Sequence, residues 1–415
     1  MHKKNLLLCT AAYALFFSYF NLTYTSNASN TSGGIVSSAN TTSSTPQTTL
    51  NASPEAHVNL PSKVNAAAPP AADTEKPSKL ADTKEITTLS HAPLDPEVKA
   101  KALTPQVANY LVMPHVMFAI GLADVNNQNA LLDNVRITMF EPKDHKERGI
   151  FLSTYGNRLM FSSSNPSQDS ANADMHYAAL QAGLTLIALE NQNISTDFGF
   201  FGTYGKLAFT PKDIEGAEKN MLDKWSLTAY GNIQHDGGIY ASTFFSYGIL
   251  KGDITTAFIK NTKIANDAKT LGASATVGQK LPSIIEGVIL EPQAQLVYQR
   301  LLLGILSDAD KFKVNLGNPY QWLLRIGGRL TQNKGHAVSF YGKMNFIKTF
   351  GKKKTIQIGE SFQLTSMGTS IEGGLGVNAH LSQNITLHGD ISYQHKLKKT
   401  GISGVHVSGG MRYRF

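Results

Sequence analysis

Apolar and polar residues alternate with a period of two along the last two-thirds of the chain. Val405, Val407, Gly409, Met411, Tyr413 and Phe415 share one parity; His406, Ser408, Gly410, Arg412 and Arg414 share the other. Successive side chains of a strand point to opposite faces, so this stretch reads as a strand with one apolar and one polar face. Ile385, Leu387, Gly389, Ile391 and Tyr393 repeat the pattern, and so do Ile371, Gly373, Leu375, Val377, Ala379 and Leu381. A soluble sandwich would alternate as well. Here the strands are long, the polar face mixes small residues with charges, and Tyr320, Trp322, Tyr393, Tyr413 and Phe415 sit at strand ends. That combination predicts an all-β transmembrane barrel with its apolar face outward and an aromatic girdle.

The alternation predicts about twelve antiparallel strands, at 149–162, 175–190, 194–209, 222–235, 238–257, 267–281, 288–303, 319–332, 335–349, 370–382, 384–396 and 403–415. Short gaps near Asn191, Gly237, Gly287, Asn333 and Gln383 alternate with longer ones near Pro166, Glu215, Ile264, Asp310, Lys353 and Lys399. Barrels of this kind have short periplasmic turns and longer external loops. The parity therefore places the loops at Pro166, Glu215, Lys353 and Lys399 outside.

Before the first strand the pattern is helical. Pro114 is suited to a first helical position. Val116, Ile120, Val125, Leu131, Leu132 and Val135 are interspersed with Asp124, Asn126, Asn127, Gln128, Asn129 and Asp133. From Pro114 to Thr138 such a helix would span about 35 Å. It is too polar to face lipid, which leaves an amphipathic helix on a core or a helix spanning a polar pore.

The N-terminus reads as a secretory signal over 1–28: Lys3 and Lys4, an apolar stretch from Leu6 to Phe20, and small residues at Ser26-Asn27-Ala28. Residues 29–103 are Ser/Thr/Asn-rich and then Ala/Pro-rich, without aromatics. Such a segment buries too little apolar surface to offset its ordering entropy and is expected to be disordered. The domain reading is completed by a linker and pore helix over 104–148 and the barrel over 149–415.

Composition narrows the class. Charged residues are 16% of the chain, against about 25% in soluble domains. No stretch beyond the N-terminus offers the ~20 apolar residues of a membrane helix. A closed barrel is the other way to pair every backbone group in hydrocarbon. The formal charge of +8 prompts a nucleic-acid question, but no finger spacing, helix-turn-helix or RNA-binding motif is present. The single cysteine, Cys9, lies within the signal, so no disulfide framework is expected.

Four segments carry a resemblance: Gly409-Gly410-Met411-Arg412-Tyr413-Arg414-Phe415, Leu387-His388-Gly389-Asp390-Ile391-Ser392-Tyr393, Glu291-Pro292-Gln293-Ala294-Gln295-Leu296-Val297-Tyr298, and Glu372-Gly373-Gly374-Leu375-Gly376-Val377-Asn378. In that arrangement the chain from Thr104 to Phe415 resembles the autotransporter translocator domain of type V secretion. The resemblance implies a twelve-stranded barrel threaded by a helix and an exported passenger before it. It also implies a terminal strand read by the barrel assembly machinery, for which Met411, Tyr413 and Phe415 match. Typical passengers are long β-helices; here only residues 29–103 precede the helix region.

No hydrolase elbow, zinc-protease motif or P-loop occurs, and no enzyme activity, cofactor or metal site is expected. His380, His388 and His406 fall on inward positions and read as pore lining. One segment suggests chemistry. Asp124-Val125-Asn126-Asn127-Gln128-Asn129 resembles the segment at which some autotransporters cut themselves, with Asn126 and Asn127 as the reacting pair. Glu291, Glu372 and Asp390 could manage protons; otherwise these asparagines simply hydrogen-bond to a polar lumen. Glu291, Arg325, Arg329, Glu372, Asp390, Arg412 and Arg414 are expected to face the pore. Lys352-Lys353-Lys354 and Lys396, Lys398 and Lys399 are expected in external loops, as solvated charge or as contacts for lipopolysaccharide phosphates or acidic host glycans.

Two functions follow. One is an outer-membrane barrel that exports or displays its short N-terminal segment. The alternative is a helix-plugged barrel serving as a surface adhesin or structural protein through its loops, with a host-surface ligand. A diffusion porin fits less well, because the helix would block the pore.

Overall fold

A computed structural model describes residues 105–415 except the stretches 139–147, 164–171, 192, 255–261, 264–267, 308–312, 333–336, 352–353 and 359. The signal region 1–28 and the low-complexity segment 29–103 lie outside the described residues.

One helix, α1 (Pro105–Thr138), comes first. The strands are β1 (Gly149–Ser162), β2 (Asn172–Asn191), β3 (Ile194–Lys212), β4 (Asn220–His235), β5 (Ile239–Ile254) and β6 (Thr262–Lys263). Then come β7 (Ala268–Gln279), β8 (Leu281–Pro282), β9 (Val288–Leu302), β10 (Gly304–Ser307), β11 (Lys313–Gly317) and β12 (Tyr320–Gln332). The series ends with β13 (Val338–Phe350), β14 (Lys354–Ile358), β15 (Glu360–Leu364), β16 (Gly368–His380) and β17 (Ile385–Arg414).

The wall is a closed antiparallel ring in the order β1, β2, β3, β4, β5, β7, β9, β12, β13, β16, β17. The last strand returns to the first, from Gly149 opposite Arg414 to Ser162 opposite Gly401. β17 crosses the wall twice. Its first half pairs with β16 and its second with β1. The two halves face each other: Arg414 N–H donates to Asn384 O (2.8 Å), and Lys396 N–H to Ser403 Oγ (3.0 Å). The eleven ring elements thus make twelve passes of the wall.

Three expectations need correction. The longer loop near Lys399 is a tight hairpin with strand pairing up to its tip, and Lys396 lies in a strand. A Cβ at Gly401 would meet the Lys396 Cβ at 2.7 Å, so the missing side chain lets the two passes close over the turn. The gap near Gly287 is not a minimal turn, since residues 280–287 carry β8 paired to β9. Finally, α1 begins at Pro105, and Pro114 lies inside it. A proline within a helix costs about 3 kcal/mol. Buried apolar residues on both sides of it, Val112, Met113, Val116, Met117 and Ile120, supply the offsetting packing.

Side chains alternate about the wall as in a membrane barrel. Ile150, Leu184, Phe245, Met344, Leu375 and Ile391 are exposed on the outside, while Ser153, Thr185, Asn232, Gln295, Asn345 and Thr386 are buried inside. Some inward tyrosines lie across glycines of the neighbouring strand. A Cβ at Gly376 would fall 2.1 Å from the Tyr341 ring, so only glycine leaves room for it.

Short turns gather at one end of the barrel and longer connections at the other. Two of the long connections contain β10, β11, β14 and β15, which form a second four-stranded sheet that the alternation did not reveal. Its Val314, Leu316, Ile356, Ile358 and Leu364 join one apolar cluster with Val112, Val116 and Ile120 of α1 and with Phe161, Phe209, Leu250 and Leu301 of the wall. The lumen is therefore mainly apolar in its loop half, while its turn half is largely polar with a smaller apolar cluster of Leu131, Leu132, Phe151, Phe201 and Phe244.

Candidate functional site, the helix in the lumen

At 34 residues, α1 is about 51 Å long, enough to run the length of the lumen. Its second half carries the polar run 124–129, and the inward parity of the strands supplies the partners. Asp124 Oδ1 accepts from the phenols of Tyr155 (2.7 Å) and Tyr177 (3.0 Å), and its Oδ2 pairs with the Lys224 ammonium. All four groups are buried. A buried charge is tolerable only when paired and hydrogen-bonded, and Asp124 meets both conditions.

Asn126 Oδ1 accepts from Arg325 Nη2. Asn127 Nδ2 donates to Ser153 Oγ (2.9 Å) and to Gln181 Oε1 (2.8 Å). Gln128 Nε2 donates to Thr228 Oγ1 (3.2 Å). Asn129 and Gln295 exchange amide hydrogen bonds at 3.0 and 2.9 Å. Asp133 pairs with Arg329 Nη1 at 2.9 Å. Successive helix residues thus bond to different strands, since each step turns the helix by about 100°.

Of the seven charged residues read as pore-facing, all are buried on the inward side. Arg325 bonds Asn126 and lies 3.6 Å from Glu372. Glu372 also accepts from Asn345 (3.1 Å) and lies 3.9 Å from Lys343, which pairs with Asp390 at 2.7 Å. Asn126, Glu372, Asp390 and Lys343 line one cleft between helix and wall. Glu291 is elsewhere, held by the Tyr240 phenol at 2.7 Å. Arg329 lies over the Tyr341 ring at 3.6 Å and Arg412 near the Phe151 ring at 5.3 Å. Arg414 closes the seam with β1.

His388 sits opposite Asn378 in the register, and His406 bonds Asn157 at 2.8 Å. Among the described residues no group of His, Cys, Asp and Glu is arranged to hold a metal. Met411, Tyr413 and Phe415 face outward at the turn end. Lys354 stands 5.5 Å from the centre of the Tyr320 ring; Lys352 and Lys353 lie outside the described residues.

Sequence reading missed Lys224, Lys343, Tyr155 and Tyr177. Lys224 has the same parity as the inward Thr228 and Asn232, which was a usable signal.

Residues 150–392 match the family profile described as Autotransporter beta-domain. Among solved structures, the transport unit of the autotransporter AIDA-I from Escherichia coli superposes with a TM-score of 0.57 at 19% identity, over 69% of this chain and 97% of that one. The beta domain of the Bordetella autotransporter BrkA gives 0.50 at 20% identity, over 65% and 99%. At such identities the structures speak for the fold, and the family match speaks for descent. A ring closed between first and last strands, an inverted polarity and a helix along the lumen fit both, and the chain belongs to the autotransporter beta-domain family, barrels of the Gram-negative outer membrane.

Proposed function

We propose that the barrel carries the chain preceding α1 across the outer membrane and displays it at the cell surface. The direction of the helix supports this reading. Near its C-terminal end, Asp133 meets Arg329 and Leu131 and Leu132 pack with Phe151, at the turn end. Near its start, Asn109 bonds Asn220 (2.8 Å) and His115 bonds the Thr365 carbonyl (2.9 Å), at the loop end. Long loops face outside in such barrels, so a chain leading into Pro105 would lie outside too.

Outside the signal the sequence contains no cysteine, so Ser43→Cys gives a single reporter. Intact cells treated with a membrane-impermeant maleimide are expected to label it. Labelling only after lysis overturns the export reading and favours the helix-plugged barrel that acts through its loops.

We also infer that α1 persists as an uncleaved plug rather than cutting itself. Asn127 holds two wall acceptors through its amide nitrogen, and Asn126 is held by Arg325. The amide nitrogen of Asn127 is thereby engaged by the wall, and the amide oxygen of Asn126 is tied to Arg325. Mass spectrometry of outer-membrane preparations should find α1 joined to the barrel; a fragment beginning at Asn127 refutes this.

A further inference from the structure

The lipid-facing wall differs from end to end. Toward the turn end its outward positions are apolar, as at Ile150, Leu184, Phe198, Ile233, Ile239 and Val277. Toward the loop end the same parity presents cations: Arg158, Lys206, Lys251, Lys269, Arg300 and Lys348 are all exposed. Outward carboxylates on that half are fewer among the described residues. Asp174 pairs with Lys212 at 2.8 Å, Asp223 stands in register between Lys206 and Lys251, and Asp253 lies two residues beyond Lys251.

Beside these cations the outer surface of β2 to β5 has a depression. Ala182 and Gly202 are paired across β2 and β3 and form its floor. Leu180, Tyr204, Trp225 and Tyr247 stand around it. A Cβ at Gly202 would meet nothing nearer than the Ala182 carbonyl oxygen at 3.9 Å, so the wall itself does not require a glycine there. The rim and the charge are linked: the Tyr204 phenol donates to Asp223 (3.4 Å), and Lys206 lies 3.9 Å from the same carboxylate. Lys206 and Lys251 each stand two residues beyond a residue lining the depression, Tyr204 and Ile249. Two residues of strand are about 7 Å.

We infer that the outward face of β2 to β7 binds a phosphorylated, acylated glycolipid of the outer leaflet, the lipopolysaccharide lipid anchor. One acyl chain lies in the depression over Gly202, and phosphate sits on Lys206, Lys251 and Lys269. Concentration of the outward strand cations on the loop half selects this ligand; at the turn end Arg148, just before β1, is exposed. Among the described strand residues the outward turn half carries no ammonium group, whereas a lipid with more than one phosphate meets ammonium groups on three strands of the loop half. Ammonium–phosphate hydrogen bonds are charge-assisted and short-ranged. The inference rests on barrel orientation, not on export.

The test uses the full chain, refolded or extracted in detergent, with bisphosphorylated lipid A as the probe and native mass spectrometry as the readout. Wild-type protein should retain lipid A through detergent exchange, and dephosphorylated lipid A or phosphatidylglycerol should not displace it. The triple variant K206Q/K251Q/K269Q should lose retention by at least about tenfold. Gly202→Leu should weaken retention by filling the depression while heat-modifiable mobility shows the barrel still folded. The pair R158Q/K348Q, on other strands, should leave retention unchanged. Equal retention by the triple variant, equal loss in the R158Q/K348Q pair, or displacement by phosphatidylglycerol overturns the site.

Discussion

Asp124 gathers two phenols and an ammonium around one carboxylate midway along a pore. Removing it leaves Lys224 buried without its counter-charge. Breaking such a pair costs about 3–5 kcal/mol. Asp124→Ala should therefore shift urea unfolding of the detergent-refolded barrel by that amount, followed by tryptophan fluorescence. Asp124→Asn should cost less, because its amide oxygen still accepts from a phenol. Wild-type stability in Asp124→Ala would mean that helix and wall are not coupled there. The polar run containing Asp124 was visible in the sequence, but its partners were not. Alternation gives which way a strand residue points. It gives no register between a helix and a wall strand 100 positions away, so the meeting of Lys224 with Asp124 was beyond it.

Helix and strands differ in how plainly they were written. The wall strands were legible because one face must satisfy hydrocarbon and the other a polar interior, which enforces period two over long runs. Short strands carry no such record. β10, β11, β14 and β15 have four or five residues each, and the apolar residues of β11, β14 and β15 pack into the cluster that contains the helix rather than toward lipid. The start of α1 was missed for a related reason: Pro114 signals a beginning locally, while the packing that keeps it internal comes from loops far along the chain. The apolar loop half and the hydrogen-bonded turn half of α1 together close the lumen. Planar-bilayer recordings of the full chain should show low conductance. A chain lacking Pro105–Asp133, with its fold verified by heat-modifiable mobility, should give large open currents; large currents from the intact chain would argue for a porin.

As a complete barrel the molecule exposes what soluble proteins hide. Met411, Tyr413 and Phe415 are 40%, 40% and 67% exposed on the seam strand. None of them packs in the lumen, so their loss should cost the finished fold little. Their removal should instead act on delivery to the membrane. Tyr413→Ala combined with deletion of Phe415 is expected to lower the folded, outer-membrane fraction in cells several-fold, while the same protein refolds in detergent. Equal deficits in both settings would show that these residues serve stability rather than assembly.

The seam also imposes an order in time. His406 and Asn157 touch across it although 249 residues separate them along the chain. β1 is made early and waits, one edge unpaired, until its partner arrives. An unpaired strand edge recruits whatever strand is near, so that interval is when the barrel is most open to error. It is also when the lumen is accessible from the side. A helix that had to thread a finished ring from the turn end would drag its apolar first half, with Val112, Val116 and Ile120, past the polar residues of the turn half. A helix already in place when β17 reaches β1 meets no such barrier, and closing the ring then locks it in.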